Sequence, residues 1–399
     1  MYEISLRKFI HALILVCAVG LLASCSSVKV PHSYTHEPVK LHLAGVSFTG
    51  DYALRHKNYP NSLHLAQGGR LDRAFVEELS RHQFTNVVLT TDLGESTHSS
   101  DSLAVSLGIN LETVTIAHIK DIGYKTVADI YAELLIFDFD TKKITTTLPI
   151  NMQYITVTQS KPTRSDIQKY FRAMILGTDP SVKKSLLQLA ADKLSEANIQ
   201  RDYGARYKVS TINLTPRAEK TIEGLGLDTD QFKTITAQML TRSMVDNLHV
   251  AVVPYTKGEA IGSKMPARFA NGDAFTFELP PADYAFEVRF NRFEVERDVS
   301  NEAIDVEGYY VFLNIIFEQP DLAKRYLERN FMASATTTVV KNQETTVGVA
   351  FMETIFNFFE SFARNVEDVD AGWIKSVVHP DNVSATKTQI NEVHRIMTQ

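Results

Sequence analysis

The residues best placed to do chemistry close the apolar run Leu135-Ile136-Phe137-Asp138-Phe139-Asp140-Thr141-Lys142. Carboxylates at the end of a strand could serve as nucleophile, acid or metal ligand. The letters that follow, Lys143-Ile144-Thr145-Thr146, are extended and show no helical period. A hairpin turn in which Asp and Thr bond to nearby backbone accounts for the same residues without chemistry. Histidines crowd the early chain at 32, 36, 42, 56, 64, 82, 98 and 118. His32 and His36 have the spacing of two ligands on one helix face, but Pro31 and Pro38 break any helix there. Gly68-Gly69 precedes a helix whose N-terminus could hold an anion; a turn needing a permissive backbone is the simpler reading. Nucleophile-elbow, Walker A and Gly-x-Gly-x-x-Gly patterns are missing from the sequence. The expectation is no catalytic residue, no metal site and no cofactor. A hydrolase or metal-dependent enzyme with a dispersed site is the alternative from another class.

The Asp138-Phe139-Asp140 run resembles the first motif of the aspartyl-phosphate phosphatases, an apolar strand ending Asp-x-Asp-x-Thr/Val. That resemblance implies Asp138 as nucleophile, Asp140 as acid/base and a magnesium ion between carboxylates. Here Thr141 comes one residue early and Lys142 takes its place, which departs from the pattern.

Around these residues the chain reads as two α+β units in tandem, 39–200 and 205–366, with the boundary near Gly204. In the first, Leu41, Leu43, Val46 and Phe48 predict a strand with an irregularity at Gly45. A helix over 71–81, a strand at 87–89 and a helix-to-turn segment at Leu107-Gly108-Ile109-Asn110 follow. Strands over 129–139 and 144–157 form a hairpin, and a helical region from Ser165 runs to about Asn198, broken at Gly177 and Pro180. In the second, strands at 207–214 and 250–255 flank a helix over 232–245, and 258–281 is loop-rich. Strands over 284–295, 309–317 and 331–340 and a helix over 346–366 complete it. Both units read strand, helix, strand, long loop, two strands and helix, a duplication at the level of pattern with almost no residue identity. Residues 367–399 read as a weakly structured tail.

The helix over 346–366 is apolar around more than half its circumference, with Phe351, Ile355, Phe358, Phe359 and Phe362 joined by Met352 and Phe356. Its polar residues deny it a membrane span. Packing on its own sheet uses one face. The excess, Phe356 or Phe359, with Tyr309 and Tyr310, is the expected partner contact.

The chain begins with a short positive segment (Arg7, Lys8), an apolar body to Leu22, and then Leu22-Ala23-Ser24-Cys25. This resembles the lipobox of bacterial lipoprotein precursors. The resemblance implies a signal peptide over 1–24, acylation of Cys25, and a Pro-containing tether over 25–38. Ser26, rather than Asp, resembles members bound for the outer membrane. The two tandem units are similar to small α+β modules of envelope-assembly lipoproteins and of periplasmic translocation-accessory proteins. The whole chain carries a formal charge of -6. Loss of Glu3, Arg7 and Lys8 with the signal takes it to about -7, which gives no footprint for nucleic acid. Of the two cysteines, Cys17 lies in the signal, so the mature chain has only Cys25 and no disulfide within the fold. The expected protein is therefore tied to the membrane by its acyl anchor, faces the periplasm, and binds or helps assemble another envelope protein.

Overall fold

The computed structural model describes residues 38–50, 52–90, 103–119, 121–256, 264–299, 304–340 and 347–398. Cys25, the lipobox, most of the tether, and His32, His36 and His98 lie outside the described residues. The fold is α+β.

Strand β1 (Val39–Thr49) buries Leu41, Val46 and Phe48. Helices α1 (Pro60–Ala66) and α2 (Arg70–Arg81) follow, and α2 presents Leu71, Phe75 and Leu79 to the core at four-residue spacing. Strand β2 (Val87–Thr90) pairs parallel with β1. Strands β3 (Leu103–Ile119), β4 (Gly123–Asp138) and β5 (Ile144–Thr158) form an antiparallel meander, with β3 parallel to β1. Helices α3 (Arg164–Leu176) and α4 (Leu186–Glu196) close this half, each started by a capping box at Thr163 and Ser185.

The expected helix-to-turn at Leu107–Asn110 is instead strand. Leu107 and Ile109 are fully buried, and Asn110 is one extra residue against β4, a bulge whose letters mimic a turn. The irregularity at Gly45 is also a bulge. There the Asp72 carboxylate accepts from the Val46 N–H at 2.8 Å. Gly45 has φ +87°, and a Cβ on it would sit 2.7 Å from that carboxylate, so the site requires glycine.

The second half repeats the wiring. Strand β6 (Tyr207–Leu214) leads to helices α5 (Pro216–Gly224) and α6 (Thr229–Leu248). A hairpin, β7 (Lys264–Phe269) and β8 (Ala274–Glu278), precedes the meander β9 (Tyr284–Val299), β10 (Ile304–Gln319) and β11 (Lys324–Val340). Helix α7 (Val347–Glu367) packs on that meander, with Phe351 5.1 Å from Phe293 and Phe358 5.5 Å from Phe331. The sheets run β5-β4-β3-β1 and β11-β10-β9-β6, and β6 is parallel to β9 as β1 is to β3. Their bulges correspond as well. Ala44 and Ser210 are the extra residues in the first strands, and Asn110 and Asn291 those in the first meander strands. Thr145 and Tyr326 are those in the last.

Three further stretches depart from expectation. Residues 250–255 form no strand: Val252 bridges to Tyr207, and its carbonyl accepts from the Thr147 N–H at 3.0 Å, stitching β5 to β6. The loop-rich 258–281 contains the β7–β8 hairpin, which extends the first sheet through β1 and covers Leu135, Phe137 and Ile144. The expected tail forms helices α8 (Ala371–Val377) and α9 (Val383–Met397), burying Ile374, Ile390, Val393 and Met397. Asp370, which reads as a helix breaker, caps α8 by accepting from Gly372 N at 2.7 Å. One apolar cluster runs from β1 through both sheets to α9.

Candidate functional site

Asp138 belongs to a turn. Its Oδ1 accepts from both the N–H and the hydroxyl of Thr141 at 2.8 Å, and its own N–H donates to the Lys143 carbonyl at 2.9 Å. Asp140 is exposed beside it, and Lys142 takes the left-handed conformation at φ +61° that closes the hairpin. Gly68 and Gly69 both have positive φ and make the turn into α2. His42 is buried, its Nδ1 2.8 Å from the Thr90 hydroxyl. Among the described residues no three His, Cys, Asp or Glu side chains stand where they could hold a metal ion.

The four aromatics expected to form one contact surface are dispersed. Phe359 is fully buried and Tyr309 is 1% exposed, so neither is a surface contact. Tyr309 packs 5.5 Å from Phe351, inside the layer between α7 and its sheet. Tyr310, its neighbour on the strand, points to the opposite face and cannot join it. Phe356 differs. A helix turns about 100° per residue, so Phe356 leaves the stripe of Ile355 and Phe359 and faces α6. There it is half-buried, with the Arg242 guanidinium 5.3 Å from its ring centre.

Phe356 forms one wall of a groove of about 940 Å³ between the outer parts of β3, β4 and β5 and the helices α6 and α7. The apolar share of the lining includes Val127, Phe232, Ile235, Met239, Met352 and Phe356. Helix α6 can supply it because its buried residues lie on more than one side: Phe232 packs 5.2 Å from Phe290 of the second sheet, while other residues face the first.

The polar share is unevenly compensated. Lys57 is 2.8 Å from Asp228, the N-cap of α6. Arg242 pairs with Asp246 at 3.3 Å and donates to Asn151. Glu112 accepts from Asn61 N at 3.0 Å, Asn61 Nδ2 at 2.8 Å and Ser62 N at 2.6 Å. It thereby caps α1, whose own N-cap residue Tyr59 makes no side-chain capping bond. Burial raises the Glu112 pKa, against those hydrogen bonds. Asp129 has only neutral donors, Gln153 Nε2 at 2.9 Å and the Thr113 hydroxyl at 3.1 Å. Burial raises its pKa, and the charge of Glu353 on α7 pushes the same way. Glu353 itself is exposed at the rim.

Among the described residues, strand β3 borders the groove with an open edge. It pairs with β1 only through Leu103–Ile109, because β1 ends at Thr49. Beyond its bulge, β3 runs on to Ile119 with β4 as its partner strand among the described residues. Sequence reasoning offered Phe356 or Phe359 as a partner contact and missed the groove, whose lining comes from segments far apart in the chain. An available signal was Asp129, which with Glu133 puts carboxylates inside a largely apolar strand.

No family model matches the chain, and no curated protein matches it. Among solved structures it is similar to a minor lipoprotein from Acinetobacter baumannii, at 10% identity and a TM-score of 0.22, over 41% of this chain and 91% of that one. It is also similar to the rare lipoprotein B from Shewanella oneidensis, at 11% identity and a TM-score of 0.19, over 40% of this chain and 89% of that one.

Proposed function

We propose that this is a lipid-anchored envelope protein with a binding or assembly role and no catalysis. Cys25 carries the acyl anchor at the periplasmic face of the outer membrane, and the groove beside Phe356 is the contact surface. The observation that carries this reading is the groove itself, an amphipathic cleft walled by the half-buried ring of Phe356. Half-buried aromatics ringed by charge are where binding energy concentrates. The carboxylate pair with the most enzyme-like letters, Asp138 and Asp140, lies in a turn in which Asp138 accepts from both the N–H and the hydroxyl of Thr141.

A photo-crosslinking amino acid placed at position 356 in living cells tests this, with position 322 as control, since Leu322 is 66% exposed on the β10–β11 turn. Position 356 should give discrete adducts with envelope proteins that position 322 does not. Identical adducts at both sites, or none at 356, would overturn the reading.

A further inference from the structure

We propose that the groove takes an extended segment of a partner protein, added as a strand to the open edge of β3, with a Lys or Arg side chain set against Asp129 and Glu353. This rests on the binding reading above and names the chemistry of its partner.

The edge is built for addition. From Thr113 to Ile119 the strand reads Thr-Val-Thr-Ile-Ala-His-Ile, with no proline, lysine, arginine or acid. Soluble proteins blunt long open edges with such residues or cover them. Glu112, just before the stretch, is turned away to cap α1, and Lys120 follows its far end. At about 3.3 Å per residue the stretch offers roughly 20 Å of backbone.

The second sheet supplies an internal control. There β6 ends at Leu214 and β9 runs on to Val299, so the wiring leaves the same edge. Its residues past the bulge include Arg292, Glu294, Glu296 and Arg297, and Arg292 pairs with Glu294 at 2.9 Å. One edge of the shared plan is blunted with charge and the other is not.

Charge sets the partner's sign. The groove's cations are each matched, Lys57 by Asp228 and Arg242 by Asp246. Asp129 is met by neutral donors alone, and Glu353 adds to its negative potential. A hydrocarbon chain seated here would desolvate both carboxylates with no counterion, a costly arrangement. A peptide meets the edge with its backbone and the carboxylates with a cation.

The test is selection of a random octapeptide display library on the full-length protein in detergent micelles. Enriched peptides should contain Lys or Arg, alternate with apolar residues, and lack proline. The tightest should lose binding when alternate amides are N-methylated. Replacing its basic residue by Glu should weaken it about tenfold or more, and D129N/E353Q should erase that discrimination; both substitutions keep the side-chain shape. No enrichment, acidic or proline-bearing winners, or indifference to N-methylation would each overturn strand addition. Displacement of the selected peptides by palmitate with no charge discrimination would assign the groove to lipid instead. Adducts at position 356 together with any of these failures would leave the binding reading standing and remove only this inference; loss of the adducts would remove the reading itself.

Discussion

Truncating Phe356 and Phe359 in turn separates a contact residue from a core residue on one helix. Phe359 is 0% exposed. Cutting such a side chain to Ala forfeits its transfer energy and leaves a cavity, costing about 3–5 kcal/mol. Phe356 is half-buried, so about half of the ~1.5–3 kcal/mol for burying a Phe is at stake. Losing the stack with Arg242 adds about 0.5–1 kcal/mol. F356A should therefore cost about 1.3–2.5 kcal/mol. The gap between the two averages about 2 kcal/mol, more than tenfold in the unfolding equilibrium.

Urea unfolding can be followed by the fluorescence of Trp373, the only tryptophan, whose ring lies 6.0 Å from that of Phe358. Its signal thus reports directly on the packing of α7. F359A should shift the midpoint well below that of F356A, with unchanged slopes. Equal shifts would mean that Phe356 is as much a part of the core as Phe359, and the groove would lose its proposed contact residue.

Glu133 is fully buried and raised in pKa by that burial, despite bonds from Asn110 at 2.7 Å and Thr147 at 2.5 Å. A raised acid stabilises the fold when protonated, and that contribution is lost as pH rises through its folded value. E133Q should therefore gain stability on wild type as pH climbs from about 4.5 to neutrality, and parallel urea-midpoint curves would refute it. C25S should abolish palmitate labelling and release the protein from the outer-membrane fraction, since stable attachment takes more than one acyl chain; retention with undiminished label would refute the anchor.

Local pattern was legible in several elements, two of them across bulges at Thr145 and Ser210. The helix over 71–81, the hairpin of β4 and β5 and the strand over 207–214 lie where alternation and helical spacing put them. Leu107–Asn110 was misread because the bulge at Asn110 shifts the alternation by one residue, and Gly108 looks like a turn although it packs against Leu135. The β7–β8 hairpin was hidden because its pairing to β1 spans more than half the chain. The C-terminal helices were obscured by Asp370 and Pro380, which start helical turns here. Of the site, Phe356 was legible from the width of the apolar face on α7. Tyr309 and Phe359 were not separable from it, since which side of a helix or strand meets a sheet is decided by packing.

Buried acids with raised pKa often mark catalysis, and their placement here says what most of them do instead. A bulge leaves backbone or side-chain groups without a ladder partner. Asp72 answers the one at Val46, and Glu133 the one at Asn110. In the second half hydroxyls serve at the matching sites: Ser210 donates to the Phe286 carbonyl at 3.0 Å and Thr215 to that of Asn291 at 2.5 Å. Glu112 answers the open end of α1. Each of these carboxylates satisfies a defect of the fold, so its altered acidity follows from structure. Asp129 caps no helix and lies opposite Gln153 in unbroken register, yet it faces the groove with Glu353 across from it. Two carboxylates on facing elements, with only neutral donors on the buried one, are a poor way to stabilise a fold and a direct way to receive a cation.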